Sequence, residues 1–336
     1  MSPKGVPAVA GDGPAICGEL RSQDTRSRRP GLRIQRRMLE VRTMRPADLE
    51  EVAELSDNAF IDLIGKLSGQ HLVRPFFPPE GLALRLEADP EGCLVAAEGG
   101  SLIGSLFSVA RGTLAWFGPL AVAPGQQGKG VGQTLVAECI ARWSPRGVRL
   151  MGLETFPDSG FHLHLYSKLG FRPAWVGFQV RKQLDAPAAG GRVEPAPPLQ
   201  HPEVPLPDLD YLYPGLDPSA EVRAILKRKA GRVFATDRSL AIVLLADALH
   251  VTPDDAFLPL LVAPDREGFL SLLAAAEEAA RDAGKKTLAI RLSGSCWAAF
   301  QALVERGYRA GPAALRMKAG ANLDYDRDAW YCDDWF

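Results

Sequence analysis

The chain has 336 residues, a length that suits two hydrophobic cores better than one. Its 39 basic and 40 acidic side chains leave a net charge of −1, so no overall field draws it to nucleic acid, and a small-molecule ligand is favoured. No apolar run approaches the length of a membrane span, and the five cysteines are scattered without metal-ligand spacing, which points to a reducing, cytoplasmic setting with no membrane association and no bound metal.

Residues 1–37 mix Gly, Pro, Ser and Arg without an apolar period and read as a disordered leader, with Met38 as an alternative translation start. A strand over 39–44 leads into Arg45-Pro46-Ala47-Asp48, where Asp48 is placed to cap a helix ending near Lys66. Gly69, Pro75, Pro78 and Pro79 interrupt the segment after that helix. Two strands, 93–98 and 101–109, then flank Gly99-Gly100, a hairpin signal.

The most informative stretch runs from Trp116 to Arg142. Its apolar run ends at Val122, and Pro124, which cannot donate to a sheet ladder, closes the strand. Gly128, Gly130 and Gly132 lead into an amphipathic segment whose apolar Val131, Leu135, Cys139 and Ile140 recur at helical spacing. Strand, glycine loop and helix in that order make an anion site from unpaired N–H groups and the helix dipole. A Walker loop is excluded, because Lys129 is followed by Gly130 rather than Ser or Thr. A dinucleotide fingerprint fits poorly, since its third glycine falls on Gln133, although Glu154 lies at about the distance of a ribose-binding acid.

Beyond this unit, a strand over 148–156, a helix over 159–169 stopped by Gly170, and a strand over 171–184 complete a mixed α/β pattern. The set Val122, Pro124, Gln127, Gly130 and Gly132 matches V-x-P-x-x-Q-x-x-G-x-G, and it resembles the acyl-CoA pyrophosphate loop of the GNAT acetyltransferase superfamily. Tyr166-Ser167-Lys168-Leu169-Gly170-Phe171 is similar to the Y-x-K-x-G-F helix end of the same superfamily. Where many members carry an asparagine before that helix, this chain has Pro157-Asp158-Ser159-Gly160.

The resemblance implies an acyl-CoA N-acyltransferase fold, a mostly antiparallel sheet flanked by helices, with acetyl-CoA as co-substrate. Backbone N–H groups of Gly128, Lys129, Gly130, Val131, Gly132 and Gln133 would take the pyrophosphate, with Gln127 in the motif and Lys129 adding a solvent-facing charge. The strand residues Leu120, Ala121 and Val122 would lie along the pantetheine arm. Tyr166 is the matched acid for the leaving thiolate. An attacking amine must lose a proton, and Glu154 is the candidate base, with capping a backbone donor or pairing with an arginine as its alternatives. His162 shares the Tyr166 face and offers a relay, whereas His164 is expected to point elsewhere. Phe76, Phe77 and Arg74 would border the acceptor site, with core packing the favoured role for the rings.

Residues 185–207 are proline-rich and aperiodic, a semi-rigid linker after a 38–184 domain. A weak repeat occupies 208–319. Val122-Ala123-Pro124 is echoed by Val262-Ala263-Pro264, and Leu169-Gly170-Phe171-Arg172 by Arg306-Gly307-Tyr308-Arg309. Gly130 and Gly132 map to Leu270 and Leu272, and Tyr166 maps to Leu303, so the second half is expected to be a degenerate copy with leucines obstructing its loop. The acidic, aromatic tail 320–336 is expected to dock on the chain or a partner. These features predict an N-acetyltransferase acting on a small-molecule or peptide amine; a non-catalytic acyl-CoA sensor or scaffold and a dinucleotide oxidoreductase are the alternatives. Homodimer formation is left open.

Overall fold

Residues 39–69, 76–184, 198–199, 205–246, 252–320 and 329–334 are described by the structure, a computed structural model. The leader, most of the proline-rich 185–207 segment, Arg74 and part of the tail lie outside them. Among the described residues, no helix is long and apolar enough to cross a membrane.

The first half runs β1 (Glu40–Thr43), α1 (Leu49–Ser68), α2 (Pro79–Ala88), β2 (Leu94–Glu98), β3 (Ser101–Arg111), β4 (Leu114–Val122), α3 (Val131–Trp143), β5 (Leu150–Thr155), α4 (Gly160–Lys168) and β6 (Arg172–Gln183). The second runs α5 (Ser219–Arg228), β7 (Gly231–Ala235), β8 (Leu240–Leu244), β9 (Asp255–Ala263), α6 (Arg266–Asp282), β10 (Thr287–Ser293), α7 (Trp297–Glu305), β11 (Arg309–Gly320) and β12 (Trp330–Asp333). From α2 and α5 onward the two halves repeat one order, helix, three strands, helix, strand, helix, strand. This is a mixed, mostly antiparallel α/β sheet with helices on both faces, duplicated in tandem.

All strands join one sheet in the order β1-β2-β3-β4-β5-β11-β6-β10-β9-β8-β7, with β12 added against β9. The halves exchange their last long strands. β11 pairs with β5 of the first half, while β6 pairs with β10 of the second, and the two exchanged strands pair with each other. A buried cluster fastens the exchange, in which Glu277 of α6 accepts from Lys182 of β6 at 2.9 Å, from Arg306 at 3.0 Å and from Tyr308 at 3.1 Å. Burial alone would raise this carboxyl, but its cationic donors hold it below its usual range.

Three sequence expectations need correction. Asp48 precedes α1, yet its side chain makes no cap bond to that helix. It accepts instead from both terminal nitrogens of Arg42, at 2.7 and 2.8 Å, and from the Arg45 N–H at 2.7 Å. The proline-rich interruption hides α2: Pro79 is its first residue, where a missing N–H costs no helical bond. Leu270 and Leu272 do not face a loop. They lie within α6, Leu272 fully buried, because β9 connects to α6 through Pro264 and Asp265 alone.

Candidate functional site

β4 and β5 pair in parallel only from Leu114/Leu150 to Trp116/Gly152, and beyond that point the ladder ends. The opening coincides with a bulge. Against β3, Phe117 faces Ser108 and Leu120 faces Leu106, so Gly118 and Pro119 are accommodated opposite one residue, and Pro119 has no N–H to give. Arg85 donates to the Gly118 carbonyl at 3.1 Å. Past the bulge, the Ala123 N–H donates to Ile103 of β3 at 3.0 Å. Alternation then turns the backbone of Ala121 toward β3, and the backbones of Leu120 and Val122 into the gap. Gln127 Nε2 donates to the Val122 carbonyl at 3.2 Å, tying the loop to the strand's end.

Residues 123–130 carry the chain over the gap to α3. Gly128 and Gly130 have φ of 76° and 89°, the left-handed region that side chains rarely adopt, and a Cβ at either would meet nothing within 4 Å. Thr134 N–H bonds the Gly130 carbonyl at 3.0 Å, so Val131, Gly132 and Gln133 are the first-turn residues whose N–H groups lack intrahelical partners. Gly132 forms part of the floor. A Cβ there would touch Val122, Leu120 and Leu165 at 3.6–3.8 Å.

A cleft of about 270 Å³ lies between this helix start, α4 and α1. Leu120, Val122, Gln127, Gly128, Gly130, Val131, Gly132 and Gln133 all line it, as do Ala59, Phe60 and Leu63 of α1. Ala121 is buried on the opposite side, against the α1 core. Lys129 is exposed and bonds Gln126 Oε1 at 2.9 Å. His164, expected on another face, borders the cleft beside Phe161 and Lys168.

A narrow cavity continues from the cleft toward the parted strands, lined by Gly118, Pro119, Leu120, Glu154, Thr155, His162 and Tyr166. Tyr166 is buried among Phe117, Phe171 and the stacked ring of His162, whose centroid is 6.1 Å away. Burial raises its phenol above the ordinary value, so it stays protonated at neutral pH. Burial also lowers the His162 imidazole, which exchanges a hydrogen bond with Ser159 Oγ at 2.7 Å through Nδ1 and stays neutral there.

Glu154 stands on the far side of this passage. Arg316 Nε donates to its Oε1 at 2.7 Å and Arg291 Nη1 to its Oε2 at 3.0 Å, the arginine pairing among the alternatives. The array continues into the C-terminal strand, where Arg316 Nη1 meets Asp333 at 2.6 Å, and Asp334 lies 3.9 Å from Arg291 and 3.6 Å from Arg85. None of these second-half partners was expected, because residues so distant in sequence leave no local pattern. Asp57 of α1 was also missed. Its Oδ1 accepts from the N–H groups of Phe76 and Phe77 at 3.0 and 2.8 Å, burying Phe77 in the core and leaving Phe76 against a third cavity of about 240 Å³. That cavity is reached past Glu154, Thr155 and Phe156, and both halves line it.

The second half has the same geometry, filled. β9 and β10 pair in parallel from Asp255/Thr287 to Leu258/Ile290, and beyond them β12 pairs with β9 at Leu260–Ala263. Part of the tail therefore docks on the chain itself. At the start of α6, Asp265 accepts from the Gly268 N–H at 2.8 Å, so a carboxylate already sits where an anion would bind.

Residues 58–171 match the acetyltransferase (GNAT) family model. Among solved structures, a protein described as "Putative Acetyltransferase" from Pyrococcus horikoshii aligns at TM-score 0.67 with 18% identity, over 92% of this chain and 98% of that one. A GCN5-related N-acetyltransferase from Sphaerobacter thermophilus aligns at TM-score 0.56 with 16% identity, over 85% and 97%. These alignments show a shared fold. No curated protein matches the chain.

Proposed function

We propose that this chain, which carries a GNAT-family domain over residues 58–171, transfers an acetyl group from acetyl-CoA to an amine by direct attack in the first half. The observation that carries the reading is the cleft itself, in which parted strands, a glycine loop and unpartnered helix N–H groups meet beside Tyr166. The site fits the co-substrate. Gly128 and Gly130 leave the loop's outer face open, and a missing Cβ at Gly132 keeps the floor clear. The first-turn N–H groups of α3 would hold the pyrophosphate, and the gap-facing backbones of Leu120 and Val122 would pair with the pantetheine amides. Acetyl-CoA supplies an activated acyl group as its thioester.

The acceptor ammonium loses one proton, and the resulting amine lone pair forms the C–N bond as the C–S bond breaks and its electron pair leaves on sulphur. A second proton then leaves nitrogen, giving an amide and a thiol. Tyr166, protonated through the working range, donates to the departing sulphur. Glu154 stands at the acceptor end of the passage. Two of its lone-pair directions are taken by Arg316 and Arg291, leaving others to accept the amine's N–H and pass its proton outward. A gap-facing N–H of β4 polarises the thioester carbonyl.

The test combines binding with turnover. Millimolar acetyl-CoA should raise the melting temperature, Gly130→Asp should abolish that rise, and an amine panel should release free thiol above the hydrolysis background. No stabilisation by acetyl-CoA would overturn the assignment, and stabilisation without thiol release from any amine would reduce the chain to an acyl-CoA-binding module.

A further inference from the structure

The cavity of about 240 Å³ beyond Glu154 is built by both halves: Phe60, Ile64 and Phe76 from the α1 side, Phe156 after β5, Phe178 from β6, and Pro312 to Ala314 from β11. The strand exchange makes it. β6 and β11 lie side by side only because each half lends the other its last strand, and their register shifts between Ala310 and Ala313, where Pro312 interrupts the ladder. Phe76 is held in place through its N–H by Asp57, and Phe178 packs on Phe300 with ring centroids 5.1 Å apart. Apart from Thr155, Gln179, Glu154 and Arg291, the described walls are therefore fixed aromatic and aliphatic surface.

Among the described residues, charge is present at one end only, in Glu154 and Arg291, and it is balanced. Glu154, Asp333 and Asp334 face Arg316, Arg291 and Arg85, three carboxylates against three guanidiniums. Among the described lining residues, Glu154 is the single carboxylate, and both its oxygens already accept from arginine. A polyamine or an aminoglycoside would bury its further ammonium groups against phenylalanine with no counter-charge among the described residues, which desolvation strongly disfavours. An acidic amino acid would find only Arg291 for its carboxylate, a guanidinium already shared by Glu154 at 3.0 Å and Asp334 at 3.9 Å. The volume lies just below the roughly 300–1,000 Å³ span of ordinary ligand pockets, which limits the acceptor to a compact body.

We propose that the acceptor is a small monoamine carried on a single aromatic or equally apolar group, its ring among Phe60, Phe76, Phe156 and Phe178 and its nitrogen toward Glu154. This rests on the acetyl-transfer reading above. The same walls promote the chemistry, because desolvation disfavours the ammonium form and so supplies the neutral amine that attacks.

The test compares phenethylamine and tryptamine with spermidine, kanamycin, glutamate and a short peptide with an N-terminal phenylalanine, each with acetyl-CoA and a thiol readout. The aryl amines should exceed the polycations and glutamate by at least about tenfold in kcat/KM. Ala314→Phe, which fills the cavity from the β11 side, should raise the aryl-amine KM by about tenfold or more, while the acetyl-CoA-induced melting shift stays unchanged. Phe178→Ala should raise the same KM. Preference for spermidine, kanamycin, glutamate or the peptide would overturn the acceptor assignment and leave the acetyl-transfer reading standing, as would equal KM values in Ala314→Phe and the parent. Loss of acetyl-CoA binding by the parent protein would remove both.

Discussion

Arg316 donates from Nε to Glu154 Oε1 at 2.7 Å, joining two residues 162 positions apart on neighbouring strands, both almost fully buried. Its Nη1 continues to Asp333 at 2.6 Å, so one guanidinium holds carboxylates from both halves of the chain. Arg316→Met would leave two buried carboxylates without it, and the expected loss is about 3–5 kcal/mol of unfolding free energy in urea titration. Glu154→Gln combined with Arg316→Met should cost less than the sum of the two single changes, because part of each penalty is the other's stranded charge. Additive losses would show that the pair is not coupled.

Gly132 allows binding and stability to be separated. Its Cβ position is in ordinary contact distance of Val122, Leu120 and Leu165, so alanine fits the resting protein. Alanine also favours the helix by up to about 1 kcal/mol. Gly132→Ala should therefore melt at or above the parent temperature while its acetyl-CoA affinity falls by about tenfold, the added methyl taking space on the cleft floor. Retained affinity, measured by calorimetry, would mean that the floor is not part of the binding surface.

Tyr166→Phe keeps the edge contact with Phe117 and the stack on His162 and removes only the hydroxyl. A thiolate with a pKa near 8.5 leaves without an acid, so kcat should fall by about 10²-fold rather than vanish, with the acetyl-CoA melting shift retained. An unchanged kcat would return Tyr166 to a packing role.

The first half's cleft was legible because its signals are local: a proline ends β4, glycines permit the turn, and the α3 stripe repeats every three or four residues. What stayed hidden depends on distant pairing. Nothing in β6 or β11 alone says that each will lie in the other half's place, since both read as ordinary amphipathic strands. For the same reason Glu154 was visible and its partners Arg291 and Arg316 were not. The repeat was detectable, but counting residues from Val262 put Leu270 and Leu272 on a loop that the second half lacks. Spacing carries over between copies only until the first deletion.

His162 gives the site a pH signature whose sign is fixed. Burial lowers its imidazole below the ordinary 6.5, so the unfolded chain takes up the proton first as pH falls. The contribution is fully present above about 6.5 and is lost as pH falls toward the folded value, a range above that of the carboxylates. Melting temperature should thus decline between pH 7.5 and 5.5, and His162→Gln should flatten that decline. A decline of equal slope in the variant would assign it to other groups.

The C-terminal strand fills the second half's gap, which makes a prediction about stoichiometry. β12 pairs with β9 at Leu260–Ala263, where β9 and β10 no longer bond, and Tyr331 is buried with its hydroxyl against Ser295. Ending the chain at residue 328 would uncover that edge and strip Arg316 of Asp333, so the melting temperature should fall and dye binding to exposed apolar surface should rise. A second acetyl-CoA should still not bind. Asp265 occupies the start of α6, where its negative charge opposes a phosphate, and the two residues between β9 and α6 cannot form the turn that residues 123–130 make in the first half. Calorimetry should return one acetyl-CoA per chain for the full and shortened proteins alike. Two per shortened chain would mean that the tail masks a competent site, and that the second half's loss of binding lies in the plug rather than in its missing loop.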